Sequence, residues 1–103
     1  MNSEVLILYT RKGCCLCQTL EKKLSNIIVE NLNPSIVLSI VDLDSTKVSS
    51  DIQMKYTNVV PVMVLDSSLL SKRIELPRVS PRLNEDMLLS WIQKNLNTLY
   101  KTA

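Results

Sequence analysis

Tyr9-Thr10-Arg11-Lys12-Gly13-Cys14-Cys15-Leu16-Cys17 joins an apolar run to a helical pattern, and all three cysteines of the chain fall at that junction. Upstream, Glu-Val-Leu-Ile-Leu-Tyr-Thr at 4–10 is a continuous run of strand formers, which predicts a central strand covered on both faces. Lys12 and Gly13 break it. From Cys14 the period changes: Leu16, Leu20, Leu24, Ile27 and Ile28 recur at helical spacing, with Lys22, Lys23 and Asn26 on the other side. This predicts an amphipathic helix ended by Asn33 and Pro34. Ile36 to Val41 reads as a second buried strand before Asp42 and Asp44, so strand, helix and strand predict a right-handed parallel βαβ unit.

The rest of the chain extends this unit. Ser45 to Lys55 reads as a short helix with Val48, Ile52 and Tyr56 inward and Asn58 as a left-handed cap. Pro61 cannot donate to a ladder, which places the start of the next strand near Val62. Asp66-Ser67-Ser68 supplies turn residues, and Arg73-Ile74-Glu75-Leu76 completes a hairpin stopped by Pro77. Asn84 is an N-cap for a last helix starting near Glu85, with Glu85 and Asp86 in its first turn and Leu83 stapled onto Leu88. Leu88, Trp91, Ile92, Leu96 and Leu99 form its core stripe. The element order is βαβ, helix, ββα.

A cysteine at a helix N-terminus feels the partial positive charge of unpaired amides, and Arg11 and Lys12 add to it. The Cys14 thiolate is therefore favoured and its pKa expected to be depressed. Cys14 and Cys17, three apart, share a helical face and are the natural disulfide, whereas adjacent Cys14 and Cys15 point roughly 100° apart on a helix of 3.6 residues per turn. Cys17 lies on the stripe of Leu20 and Leu24 and is expected to be sheltered; Cys15 shares its side with Thr19 and Lys22. An exposed attacker and a sheltered resolver suit dithiol exchange in either direction. The bare motif leaves another reading open, since free cysteine is also a common small buried apolar residue.

Composition removes other classes. The chain has 103 residues, of which 46% are apolar and 21% charged, as in a single globular domain over 1–103 rather than a disordered one. Twelve Lys and Arg against ten Asp and Glu, without a clustered basic face, give no nucleic-acid footprint. No apolar stretch approaches the roughly 20 residues that span a bilayer, so no membrane partner is expected. Met1-Asn2-Ser3-Glu4 lacks a basic signal-peptide region, which points to a cytoplasmic setting. The chain has no histidine, which excludes His-based triads and His-ligated zinc. A closed four-ligand zinc site would need a carboxylate or a second chain. Three cysteines within four positions cannot form a dispersed scaffold.

Cys14-Cys15-Leu16-Cys17 after a strand, with Asp42-Leu43-Asp44, Tyr56 and Val60-Pro61-Val62 following in order before the final helix, resembles the thioredoxin fold. More specifically, the chain resembles the short glutaredoxin-like proteins of bacteria. The resemblance implies an α/β thioredoxin fold with a four-stranded mixed sheet, helices on both faces, and a cis peptide before Pro61 facing the cysteines. It implies Cys14 as nucleophile, Cys17 as resolver, and Val60 offering its backbone N–H and C=O to an extended substrate segment. It also places Arg11 where a basic residue meets the carboxylate of glutathione, an ordinary solvated charge being the other reading. Tyr9 is expected in the core.

The implied activity is thiol–disulfide exchange by a monomer. It requires no resident cofactor or metal, and its partners are glutathione or a protein client and a thioredoxin-type reductase. Two departures stand out. The Gly-Gly-acidic stretch that holds the γ-glutamyl group in glutaredoxins is replaced by Val79-Ser80-Pro81-Arg82-Leu83-Asn84-Glu85-Asp86. Cys15 is an accessory thiol, for glutathionylation, metal binding or dimerisation, or simply a tolerated surface cysteine. A dimeric iron–sulfur or metal thiolate site and a non-catalytic thioredoxin-fold adaptor are the alternatives from other classes.

Overall fold

A computed structural model describes residues 4–27, 32, 35–80 and 82–101. Among the described residues, seven elements follow the expected order: β1 (Glu4–Thr10), α1 (Cys15–Asn26), β2 (Val37–Asp42), α2 (Ser50–Tyr56), β3 (Val62–Ser67), β4 (Lys72–Glu75) and α3 (Glu85–Lys101). The four strands form one sheet in the order β2-β1-β3-β4. β1 runs parallel to β2, Val5 opposite Val37, and antiparallel to β3, Ile7 opposite Val64; β4 is antiparallel to β3.

The apolar run of β1 is continuous because both its faces are covered. Leu6 and Leu8 pack with Met63 and Leu65 of β3 against Leu20 and Leu24 of α1 and Leu88, Ile92 and Leu96 of α3. Ile7 and Tyr9 point the other way and pack with Val62, Val64, Leu43 and Tyr56, the last residue of α2. Burying each of these aliphatic side chains contributes roughly 1.5–3 kcal/mol, so the two clusters fix which faces the helices occupy. The fold is α/β, a four-stranded mixed sheet with helices on both faces.

Several boundaries differ from those expected. α1 ends at Asn26, where Ile27 turns extended (φ −103°, ψ 154°), well before Asn33 and Pro34. The run Ile27-Ile28-Val29 is β-branched and holds a helix poorly; Ile28, Asn33 and Pro34 lie outside the described residues. β2 is an edge strand rather than a buried one, with Val37 54% and Ile40 40% exposed. An apolar run marks a strand but not its place in the sheet.

α2 starts at Ser50, not Ser45, because Ser49 provides the N-cap and its hydroxyl accepts from the Ile52 amide at 3.3 Å. Ser45 organises the preceding turn, accepting from the Lys47 and Val48 amides. Thr57 after α2 stays in the right-handed region, and Asn58 takes no left-handed cap; among the described residues positive φ occurs at Gly13 and Ser71. β3 runs on through Asp66 and Ser67, so the hairpin turns at 68–71. Arg73 opposite Asp66 donates to its carboxylate across the strand pair. Asn84 caps α3 through the Met87 amide, at 2.8 Å.

Glu4, at the start of β1, is buried, and the sequence gives no warning of its role. Its Oε1 accepts from the Ser67 hydroxyl at 2.5 Å and from the Tyr100 hydroxyl, and its Oε2 from the amides of Ser68 (2.8 Å) and Leu69 (3.2 Å). One carboxylate thus ties β1, the β3–β4 turn and the end of α3 together. Burial alone would raise its pKa, but the hydrogen bonds outweigh that and hold it below the usual carboxylate value. Burial, followed by the bond to Glu4, pushes the Tyr100 phenol up.

Candidate active site

β1 delivers the chain to the sheet's end at Thr10, whose carbonyl accepts from the Leu43 amide at 2.8 Å. Arg11, Lys12 and Gly13 then turn it, the Cys14 amide donating to the Arg11 carbonyl at 3.3 Å and Gly13 adopting φ +79°. Glycine reaches that left-handed conformation without the Cβ penalty. Cys14 is the N-cap of α1, in extended conformation (φ −87°, ψ 105°), so the helix begins one residue later than its periodicity indicates. Its sulfur takes the place of a capping oxygen, accepting from the Cys17 amide at 3.1 Å.

Cys14 and Cys17 are joined as a disulfide with Cα atoms 5.2 Å apart. Cys14 is half-buried, whereas Cys17 is only 1% exposed, on the same face as Leu20 and Leu24. Cys15 is a free thiol on the surface. Helical geometry therefore separates three neighbouring thiols into an accessible sulfur, a sheltered one bonded to it and an outward one. Among the described residues no three Cys, Asp and Glu side chains converge as a metal site.

Val60-Pro61 is a cis peptide, as the resemblance implies. Pro61 lines a groove together with Leu16, which brings the turn bearing the thiols and the proline loop to one surface. Among the described residues neither the N–H nor the C=O of Val60 is hydrogen-bonded, since pairing of β3 with β1 starts at Val62 opposite Tyr9. An unpaired peptide group beside the strand edge is suited to receive an extended chain. The Arg78 Nη1 donates to the Val59 carbonyl at 3.4 Å and steadies this loop.

Arg11 is neither a free solvated charge nor fully exposed. Its Nε donates to Asp44 Oδ2 at 3.1 Å, and its Nη1 to the Thr57 carbonyl and hydroxyl, each at 3.1 Å. It clamps the turn before the cysteines to the segments following β2 and α2. Tyr9 is in the core, 5% exposed, its ring centroid 5.4 Å from that of Tyr56. Burial, and next a hydrogen bond to Glu75, push the Tyr56 phenol up to about 12.

Periodicity assigns Leu16 to the buried stripe of α1, but the side chain is 47% exposed. Leu16, Pro61, Val79 and Leu83 instead line a groove of about 50 Å³ between α1 and the segment preceding α3. Val79 and Leu83 stand in the stretch that replaces the Gly-Gly-acidic pattern. Their apolar character was the one signal available in the sequence.

Solved structures support the fold. A malarial protein shares 21% identity, covering 92% of this chain and 99% of its own, with a TM-score of 0.59. Thioredoxin-2, a component of the malaria parasite protein secretion machinery, shares 19% over 90% of this chain and 84% of its own, with a TM-score of 0.58. The first thioredoxin domain of mouse protein disulfide-isomerase A4 shares 14% over 89% and 62%, with a TM-score of 0.56. No curated protein matches the sequence. A family model described as glutaredoxin-like domain (DUF836) matches residues 5–93 and so takes in the cysteine turn, the cis-proline loop and the first half of α3. With its thioredoxin-type sheet and its bonded cysteine pair at the start of α1, the chain belongs to the glutaredoxin-like domain family.

Proposed function

We propose that the protein is a thiol–disulfide oxidoreductase in which Cys14 is the nucleophile and Cys17 the resolving thiol. The observation that carries this reading is the asymmetry of the pair: a half-buried Cys14 sulfur capping a helix and accepting the Cys17 amide, bonded to a Cys17 that is 1% exposed. In the reduced protein the same amide, the helix N-terminus and the nearby cations Arg11 and Lys12 favour the Cys14 thiolate.

The thiolate attacks one sulfur of a substrate disulfide. A Cys14–substrate bond forms, the substrate S–S bond breaks, and the other sulfur leaves as thiolate. Cys17 then loses its proton and attacks Cys14, forming the Cys14–Cys17 bond and releasing the second substrate thiolate. Two electrons pass from the protein dithiol to the substrate, and two external thiols, small or paired on a partner reductase, restore the dithiol and leave as a disulfide. Val60 presents backbone to the substrate, and Pro61 lines the groove it shares with Leu16, the residue before Cys17. No step needs a cofactor, and a reducing compartment such as the cytoplasm suits the cycle.

Trapping tests it. Cys17→Ser removes the resolving thiol, so a substrate should remain linked to Cys14 and appear by mass as one covalent adduct per chain. Cys14→Ser should give no adduct, and Cys15→Ser should turn over normally. An adduct on Cys15, or none in Cys17→Ser, would contradict the assignment.

A further inference from the structure

We infer that Arg11 is a positioning residue: through Thr57 it sets the turn that presents Cys14 against the Val60-Pro61 loop, and Asp44 holds its guanidinium there rather than leaving it to a substrate carboxylate. This rests on the oxidoreductase reading and adds a residue that governs how that site receives an extended substrate.

Exchange on an extended substrate needs two parts of the chain in register. Cys14 comes from the turn after β1, and the backbone of Val60 from the loop between α2 and β3. β1 fixes one end of that loop, since Tyr9 lies opposite Val62. The other end is Thr57, the C-cap of α2, which stands three residues before Val60. There the Arg11 Nη1 donates to the Thr57 carbonyl and to its hydroxyl, each at 3.1 Å. Arg11 is joined in turn to the nucleophile, because its own carbonyl accepts from the Cys14 amide at 3.3 Å. Both ends of the proline loop are thus tied to the end of β1 and the turn that follows it, one by strand pairing and the other by this guanidinium.

The guanidinium is committed to these contacts. Its Nε donates to Asp44 Oδ2 at 3.1 Å, and Asp44 is itself held through its amide, which donates to Asp42 Oδ1 at 3.0 Å. A guanidinium grips a carboxylate with two adjacent nitrogens, Nε with Nη2 or Nη1 with Nη2. Either fork draws on a nitrogen that is already bonded here, so a substrate carboxylate has to displace Asp44 or Thr57 to be gripped. Lysine carries the same charge without the planar fork and cannot reach both partners at once. Charge and positioning can therefore be separated by substitution.

The test measures second-order rate constants of the reduced full-length protein, carrying Cys15→Ser, with three disulfides. One is bis(2-hydroxyethyl) disulfide, which has no backbone to pair with Val60. The others are a short acetylated peptide whose single cysteine is blocked with 2-mercaptoethanol, made with a C-terminal amide or with a free carboxylate next to the cysteine. Arg11→Lys should lower the ratio of peptide rate to hydroxyethyl rate about fivefold, the scale of one lost hydrogen bond, and equally for amide and carboxylate. Thr57→Val, which removes the hydroxyl acceptor and leaves the carbonyl, should lower it about twofold. Because both substitutions break one contact, the double variant should be no worse than Arg11→Lys alone. Arg11 and Thr57 lie outside the two core clusters, so either variant reads the effect. A merely structural Arg11 would slow all three disulfides alike and leave the ratios where they are. A ratio unchanged in either variant, a loss confined to the carboxylate peptide, or effects that multiply in the double variant would overturn the inference while leaving the oxidoreductase in place. A parent protein that reacts with none of the three disulfides would instead remove the oxidoreductase reading, and this inference with it.

Discussion

Replacing Glu4 by alanine should destabilise the fold by about 3–4 kcal/mol, because one carboxylate satisfies four donors from two separate parts of the chain. A hydrogen bond to a charged acceptor contributes roughly 1.5–3 kcal/mol net. The four do not simply add, since Ser68 and Leu69 are exposed turn residues whose amides can turn to water. The two hydroxyls, of buried Ser67 and part-buried Tyr100, account for most of the loss. In a domain of this size each kcal/mol moves the melting midpoint by about 4–8 °C, so the variant should melt roughly 12–30 °C lower.

Glu4→Gln keeps the length and can still accept from the amides while its NH2 donates to the hydroxyls; it should cost only about 1–2 kcal/mol. The folded state holds the Glu4 pKa below its ordinary value. As pH falls the unfolded chain therefore takes up the proton first, and the stabilisation present at neutral pH is lost through and below the usual carboxylate range. The Gln variant lacks that component, so its deficit against the parent should shrink between pH 7 and pH 3. Urea unfolding of the oxidised proteins across that range measures both quantities. A Glu4→Ala variant within 1 kcal/mol of the parent at pH 7, or a Gln deficit independent of pH, would refute the reasoning.

Other expectations follow from single residues. Gly13→Ala should cost about 1–2 kcal/mol through backbone strain at φ +79° alone, since nothing lies within 4 Å of the added methyl group; an unchanged urea midpoint would contradict it. Arg11→Met should cost about 1 kcal/mol, held to that by the 38% and 53% exposure of the Arg11 and Asp44 side chains, and Asp44→Asn should cost less because the Thr57 contacts survive. Absorbance at 295 nm should show one tyrosine ionising near 12, absent in Tyr56→Phe. Because the folded Tyr56 keeps its proton to higher pH than the unfolded chain does, its contribution to stability should be full below about pH 10 and disappear as pH rises through about 12.

Much of this molecule is written in local pattern. The buried run of β1, the change of period at Cys14 and the Asn84 cap of α3 each rest on neighbours in sequence, and each stands in the structure within a residue or so. So does the division of Cys14 from Cys17, which helical spacing dictates. What local pattern misses depends on sheet order or on residues far apart. β2 looks buried by composition, yet its place at the edge exposes Val37 and Ile40. Leu16 fits the stripe of α1, yet it is 47% exposed and lines a groove with Pro61 and Val79, far from it in sequence. Arg11 looks like a surface charge beside a cysteine, and only the loops after β2 and α2 reveal its partners Asp44 and Thr57. Glu4 meets Tyr100 across 96 positions, and nothing near either residue announces it.

The most direct test of the account is a redox titration of the Cys15→Ser variant in thiol–disulfide buffers, counting free thiols by mass at each poise. The account predicts one reversible two-thiol transition, assigned to Cys14 and Cys17, within the span of known dithiol oxidoreductases, about −270 to −120 mV. A pair that never closes in those buffers, or one that opens only to strong reductant, would contradict it.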